Sequence, residues 1–162
     1  MDIDLALLAD AATIDASGKL NILGIFDRIS ATSFPVQHAH IALILRFVAS
    51  PEEAGNHEVR IVLRGPDGEE VVGLDGKIQT GPGGGRSGGD VRVPQVVNME
   101  RMVFPKPGRY TFEVLVEGEH RVSVPLFMHK AMSRGGGQET EKAPPQGTGG
   151  MGFGAPGGPV QA

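Results

Sequence analysis

The chain has 162 residues, a formal net charge of −4, no cysteine, no tryptophan and one tyrosine. That length suits one hydrophobic core, the mixed charge leaves no basic stripe for phosphates, and missing cysteines exclude disulfides and thiolate metal sites. The expectation is one soluble β-domain in a reducing, cytoplasmic setting, with no membrane span, no nucleic-acid partner and few aromatic platforms for sugars or bases.

The opening Met1-Asp2-Ile3-Asp4 is acidic where a secretory signal is basic, and Asp10 interrupts the apolar run from Leu5 before it reaches bilayer length. Leu5 to Ala12 is rich in helix formers behind a possible Asp4 cap. Against a helix, Ile3, Leu5, Leu7, Ala9 and Ala11 fall on one parity, and Asp15-Ala16-Ser17-Gly18-Lys19 turns into the apolar run Leu20 to Phe26. The pair therefore reads as a hairpin. His40 to Val48 is apolar on both parities, as in a central strand covered on both faces, and is expected to be the best-buried strand.

Val59, Ile61 and Leu63 alternate with Glu58, Arg60 and Arg64, and Gly65-Pro66-Asp67-Gly68 turns the chain back into Glu70-Val71-Val72. The stretch from Gly81 to Gly89 has almost nothing to bury and reads as a mobile loop. Val91 to Val103 returns to strand composition with a break near Pro94. Pro107-Gly108 then opens a strand in which Tyr110, Phe112, Val114 and Val116 share one face.

The return strand carries Val122, Val124, Leu126 and Met128 on one parity. A two-residue loop at Gly118-Glu119 would set Val114 against Ser123 and turn one apolar set to water, so a loop of odd length is expected. Roughly seven to nine strands in a domain over 1–130 predict an all-β, antiparallel two-sheet β-sandwich, immunoglobulin-like or C2-like. The Gly/Pro-rich segment 131–162 cannot offset the entropy of folding and reads as a disordered tail.

Pro107-Gly-Arg-Tyr110 resembles the tyrosine corner of immunoglobulin-like sandwiches, although the disulfide and tryptophan of antibody domains are absent. Two longer stretches are Leu8-Ala9-Asp10-Ala11-Ala12 with Gly18 to Asp27, and Val103-Phe104-Pro105-Lys106-Pro107-Gly108-Arg109-Tyr110-Thr111-Phe112-Glu113-Val114. In their order and separation they resemble an uncharacterised family of small bacterial proteins, a domain of unknown function. The resemblance implies an all-β fold in a bacterial cytoplasm and carries over no catalytic residue.

His38 and His40 sit at strand spacing, which can aim two imidazoles at one metal, with His57, His120 or His129 as a third ligand. Solvated histidines are the plainer account. Asp10 and Asp27 interrupt apolar runs near the first hairpin and can serve acid–base chemistry or hold a hard cation. Bonds to loop backbone or to Arg28 explain them more simply. The glycines from 81 to 89 lack the Lys-Ser or Lys-Thr ending of a phosphate-binding loop, and no serine sits in a nucleophile elbow.

No catalytic, metal or cofactor site is therefore assigned. The favoured reading is a non-enzymatic protein-interaction or accessory module whose partner is another protein. Its alternatives are a structural subunit of a larger assembly, or a metal-dependent binder or enzyme using Asp10, Asp27, His38 and His40.

Overall fold

The computed structural model describes residues 1–81 and 89–131. The expected loop within Gly81 to Gly89 and the expected tail lie outside them. The described chain runs β1 (Asp2–Ile14), β2 (Leu20–Phe26), β3 (Arg28–Ala31), β4 (Val36–Ala49), a 3-10 turn (Pro51–Glu53), β5 (Gly55–Arg64), β6 (Glu70–Thr80), β7 (Val91–Phe104), β8 (Gly108–Val116) and β9 (Glu119–Lys130). One sheet has the order β2-β1-β4-β7 and the other β3-β9-β8-β5-β6.

The chain changes sheets at one residue. Phe26 still pairs with Leu8 in the first sheet, whereas Arg28 already pairs with Phe127 in the second. The backbone carbonyl of Asp27 accepts the Phe127 N–H at 2.8 Å. β3 then runs parallel to β9, which corrects the all-antiparallel expectation. A strand arriving by crossover from another sheet has no hairpin to impose the opposite direction.

β4 is the best-buried strand, with Ile41 through Leu45, Phe47 and Ala49 all at 1% exposure or less. Ile41, Leu43, Leu45 and Phe47 face the main core with Tyr110, Phe112, Val114 and Leu126 from the other sheet. Ala42 and Ile44 face the opposite way, into a second cluster with Ala9. Both parities of this strand are thus apolar for a physical reason, since each has its own cover.

Three irregularities revise the register inferred from alternation. In β1, pairing with β4 shifts between Ile3 and Leu5. Ile3 packs on the main core while Leu5 and Leu7 pack on the second cluster, so they do not share one face. In β7 no break occurs, because Pro94 pairs with Arg46 within a continuous strand. β7 lies at a sheet edge, where a proline lacking N–H forfeits no ladder bond on its outer side.

In the β8–β9 hairpin, Val116 pairs with Glu119, leaving a two-residue loop at Glu117 and Gly118, both at positive φ (52° and 78°). The expected odd loop is absent, and a bulge supplies the missing parity. Pairing steps from Leu115 with His120 to Val114 with Val122, leaving Arg121 unmatched. Val114 and Phe112 do face Val122 and Val124, as burial demands.

Turns behave as their residues dictate. Asp15 Oδ1 accepts the N–H groups of Ser17 (2.8 Å) and Lys19 (3.0 Å), and Gly68 N–H bonds the Gly65 carbonyl at 3.0 Å across Pro66 and Asp67. At the other end, the Met1 ammonium and the Ser50 N–H draw the Glu53 carboxyl down to about 2. The Arg46 guanidinium, with Arg92 beside it, holds Asp4 below the usual carboxylate range.

A carboxylate depressed in the folded state adds stability that is complete above its unfolded pKa and lost as pH falls through the folded value. The melting temperature is therefore expected to fall between about pH 4.5 and pH 2, more steeply at low salt because Asp4 is exposed and Glu53 only half-buried. Thermal scans of the parent chain and Glu53→Gln check this: the variant should lose less on acidification, and equal slopes would contradict the assignment.

Candidate functional site

The first hairpin carries the most informative geometry. Beyond Ala9, paired with Ala42, β1 keeps β2 as its partner and pairing with β4 ends. Leu20 pairs with Ile14, five residues farther along, which in a flat strand would lie about 16 Å past Ala9. Yet Ala12, Leu20 and Ile22 pack against the cluster of Ala9, Ala42 and Ile44. The hairpin must therefore fold back over the outer face of its own sheet.

The bend lies at Asp10 and Gly24. Gly24 has φ +67°, which favours glycine, and the exposed Asp10 carboxylate lies where a Cβ would stand and would have to swing aside for one. Past the bend, half-buried Ala12, Leu20 and Ile22 alternate with exposed Ala11, Thr13, Asn21 and Leu23. Leu23 and Ile25 are 70% and 65% exposed, the most open of the large apolar side chains described.

Among the described residues β2 is also a sheet edge. The other edges are blunted: β7 by Pro94 and the charges of Arg92, Glu100 and Arg101, β6 by Asp75, Lys77 and two glycines, and β3 by having four residues. β2, Leu-Asn-Ile-Leu-Gly-Ile-Phe, carries neither charge nor proline. Its only irregularity is the bend at Gly24.

The four residues singled out for chemistry separate. Asp10 and His38 share a depression of about 230 Å³ with Phe26, Arg28 and Ile29. Asp27 instead pairs with Arg28 (3.1 Å), whose guanidinium lowers its pKa, with His129 adding a smaller pull. His40 Nδ1 lies 2.6 Å from Glu100.

The expectation that His38 and His40 share a face is corrected. His38 pairs with Met102, which is in the main core, while His40 pairs with exposed Glu100. Arg101 between those partners is left-handed (φ 54°) and breaks the alternation. Directly paired residues point the same way, so the two imidazoles do not converge.

The proposed third ligands are also committed elsewhere. His57 Nε2 bonds the Glu53 carbonyl at 2.8 Å, His120 bonds Ser123 at 2.8 Å, and His129 stacks on Phe127. Among the described residues no group of three His, Asp or Glu could hold a metal ion. The depression is still lined by Asp10, His38 and Arg28, residue types that can hold a small polar ligand or relay a proton. It is smaller than the roughly 300–1,000 Å³ of ordinary ligand sites.

Neither the bend nor the exposure of Leu23 and Ile25 is anticipated by alternation. The signal available was a glycine inside an apolar strand opposite an aspartate in its partner, a combination that marks a backbone irregularity.

A model of a family of unknown function, DUF6941, matches residues 4–129. The chain belongs to that family. The match runs from within β1 to within β9 and includes both stretches that carry the resemblance noted from sequence. No curated protein sequence matches this DUF6941 chain. Among solved structures, the alkylpurine DNA glycosylase AlkC of Pseudomonas fluorescens, bound to DNA containing an abasic site analog, is similar at 13% identity with a TM-score of 0.46.

That alignment covers 79% of the DUF6941 chain and 30% of the glycosylase chain, so the protein spans less than a third of that neighbour. With a DNA-bound protein as a structural neighbour, the exclusion of nucleic acid drawn from net charge is withdrawn. A likeness of this depth carries no role over in its place. Among the described residues no helix is long and apolar enough to cross a membrane.

Proposed function

We propose that this protein is a non-enzymatic interaction module that engages another protein through the outward side of its first hairpin. The observation that carries this reading is the exposure of Leu23 (70%) and Ile25 (65%) on an uncharged, proline-free edge strand. Such an edge offers unpaired backbone groups for an added strand and apolar side chains to bury beside it. The two sheets are read as sandwich layers of immunoglobulin or C2 type, with the tyrosine corner in support. The cysteine-free sequence suits the cytoplasm.

A photo-crosslinking amino acid at position 23, in the native host, tests the proposal. A discrete protein adduct is expected, and Leu23→Asp or Ile25→Asp should weaken capture of that partner about tenfold or more. Adducts to nucleic acid alone, or none, would overturn it. A second reading rests on Asp10 and His38 meeting in one depression. It assigns the chain a small polar ligand there, and Asp10→Asn with Leu23 intact separates the two.

A further inference from the structure

The folded-back part of the first hairpin is held differently from the rest of the protein. Residues 11–14 and 20–23 pair only with each other, and a two-stranded hairpin alone is marginal in water. Their anchorage is the contact of Ala12, Leu20 and Ile22 with a small cluster of three buried residues, two of them alanines, on which Leu5, Leu7 and Val96 also pack. Every strand of the main core, by contrast, packs among large side chains such as Phe47, Phe104, Tyr110 and Phe112. The opposite side of the hairpin leaves Leu23 in water, and even on the packed side Ile14, paired with Leu20, is 42% exposed.

The bend has the features of a hinge. Register between β1 and β2 is continuous on both sides, from Leu8 with Phe26 to Ile14 with Leu20, and the one position without a recorded pair is Asp10 opposite Gly24. Gly24 is left-handed, and the Asp10 carboxylate occupies the space a side chain would need. On the core side, Phe26 packs into the main cluster. The chain is thus pinned immediately before the bend and weakly held beyond it.

We propose that residues 11–23 form a flap that swings about Asp10 and Gly24 as a unit, uncovering the apolar face of Ala9, Ala42 and Ile44 while the main core stays folded. Local openings of this kind belong to elements with few buried apolar contacts. The proposal does not depend on which partner the hairpin engages.

The natural chain has no cysteine, so thiol labelling reads the opening against a clean background. Full-length Ala42→Cys places a thiol beneath the flap, and full-length Val114→Cys places one in the main core; both native residues are 0% exposed. Under native conditions Ala42→Cys should label about tenfold or more faster than Val114→Cys, with a rate nearly independent of low denaturant. Adding Gly24→Ala should speed labelling at position 42 and leave position 114 unchanged.

Equal labelling rates at the two positions, rising together with denaturant, would overturn the proposal. So would a Gly24→Ala effect of the same size at both. If Gly24→Ala does not fold, the two single-cysteine chains decide the question.

Discussion

Tyr110→Ala is expected to destabilise the protein by about 3–5 kcal/mol, the range for deleting a large aromatic side chain from a packed core. Tyr110 is fully buried, its ring meets Phe104 edge-on at 5.1 Å, and its hydroxyl donates to the Lys106 carbonyl at 2.9 Å. Burial pushes the phenol pKa up, so the hydroxyl stays a donor across the ordinary pH range. The bond reaches back four residues, across Pro107 and Gly108, and fixes the corner at which the chain leaves β7 and enters β8.

Tyr110→Phe separates the two contributions. It keeps the ring and removes one hydrogen bond, so a loss of about 1 kcal/mol is expected, rising toward 2 if the Lys106 carbonyl finds no water. Denaturant unfolding of both variants measures this. A phenylalanine variant as stable as the parent would show that the corner is held by packing alone.

The sequence was most legible where burial is one-sided. Tyr110, Phe112, Val114 and Val116 alternate with Arg109, Thr111, Glu113 and a half-buried Leu115 because one face of β8 meets the core, so strand, face and partner could all be read. Where the ladder departs from regularity, the departure left a weak trace or none. Arg121 looks like any exposed strand residue, and its role as a bulge follows only from the need to align Val122 with Val114.

Arg101 adopts a left-handed conformation with nothing in its side chain to require it, and that one residue separates His38 from His40. Asp10 and Gly24 were visible as oddities, but alternation treats an interrupting aspartate as a surface residue. It says nothing of a hairpin folding back on its own sheet. The candidate site was thus legible in its residues and not in its shape, because the shape depends on the backbone angles of Gly24 and Arg101, which alternation does not constrain.

Gly108→Ala is expected to cost about 2–6 kcal/mol, although it adds one methyl group to a half-buried strand start. Two separate effects meet there. Gly108 has φ +141°, a conformation that L side chains rarely adopt, and an added Cβ would lie 2.6 Å from Pro66 Cγ and 2.8 Å from Pro66 Cβ. Backbone strain of this type costs about 1–3 kcal/mol, and overpacking against a rigid ring adds about 1–3 kcal/mol.

The collision matters because the turn holding Pro66 docks on the corner before β8. Lys106 forms ion pairs with Asp67 and, at 3.7 Å, with Glu69. Displacing the proline therefore disturbs the β5–β6 connection and the Tyr110 corner together. In a Pro66→Gly background the collision is gone and the backbone strain remains, so Gly108→Ala should cost about 1–3 kcal/mol less there. Equal costs in the two backgrounds would refute the contact between these turns, and no cost in either would refute the left-handed conformation itself.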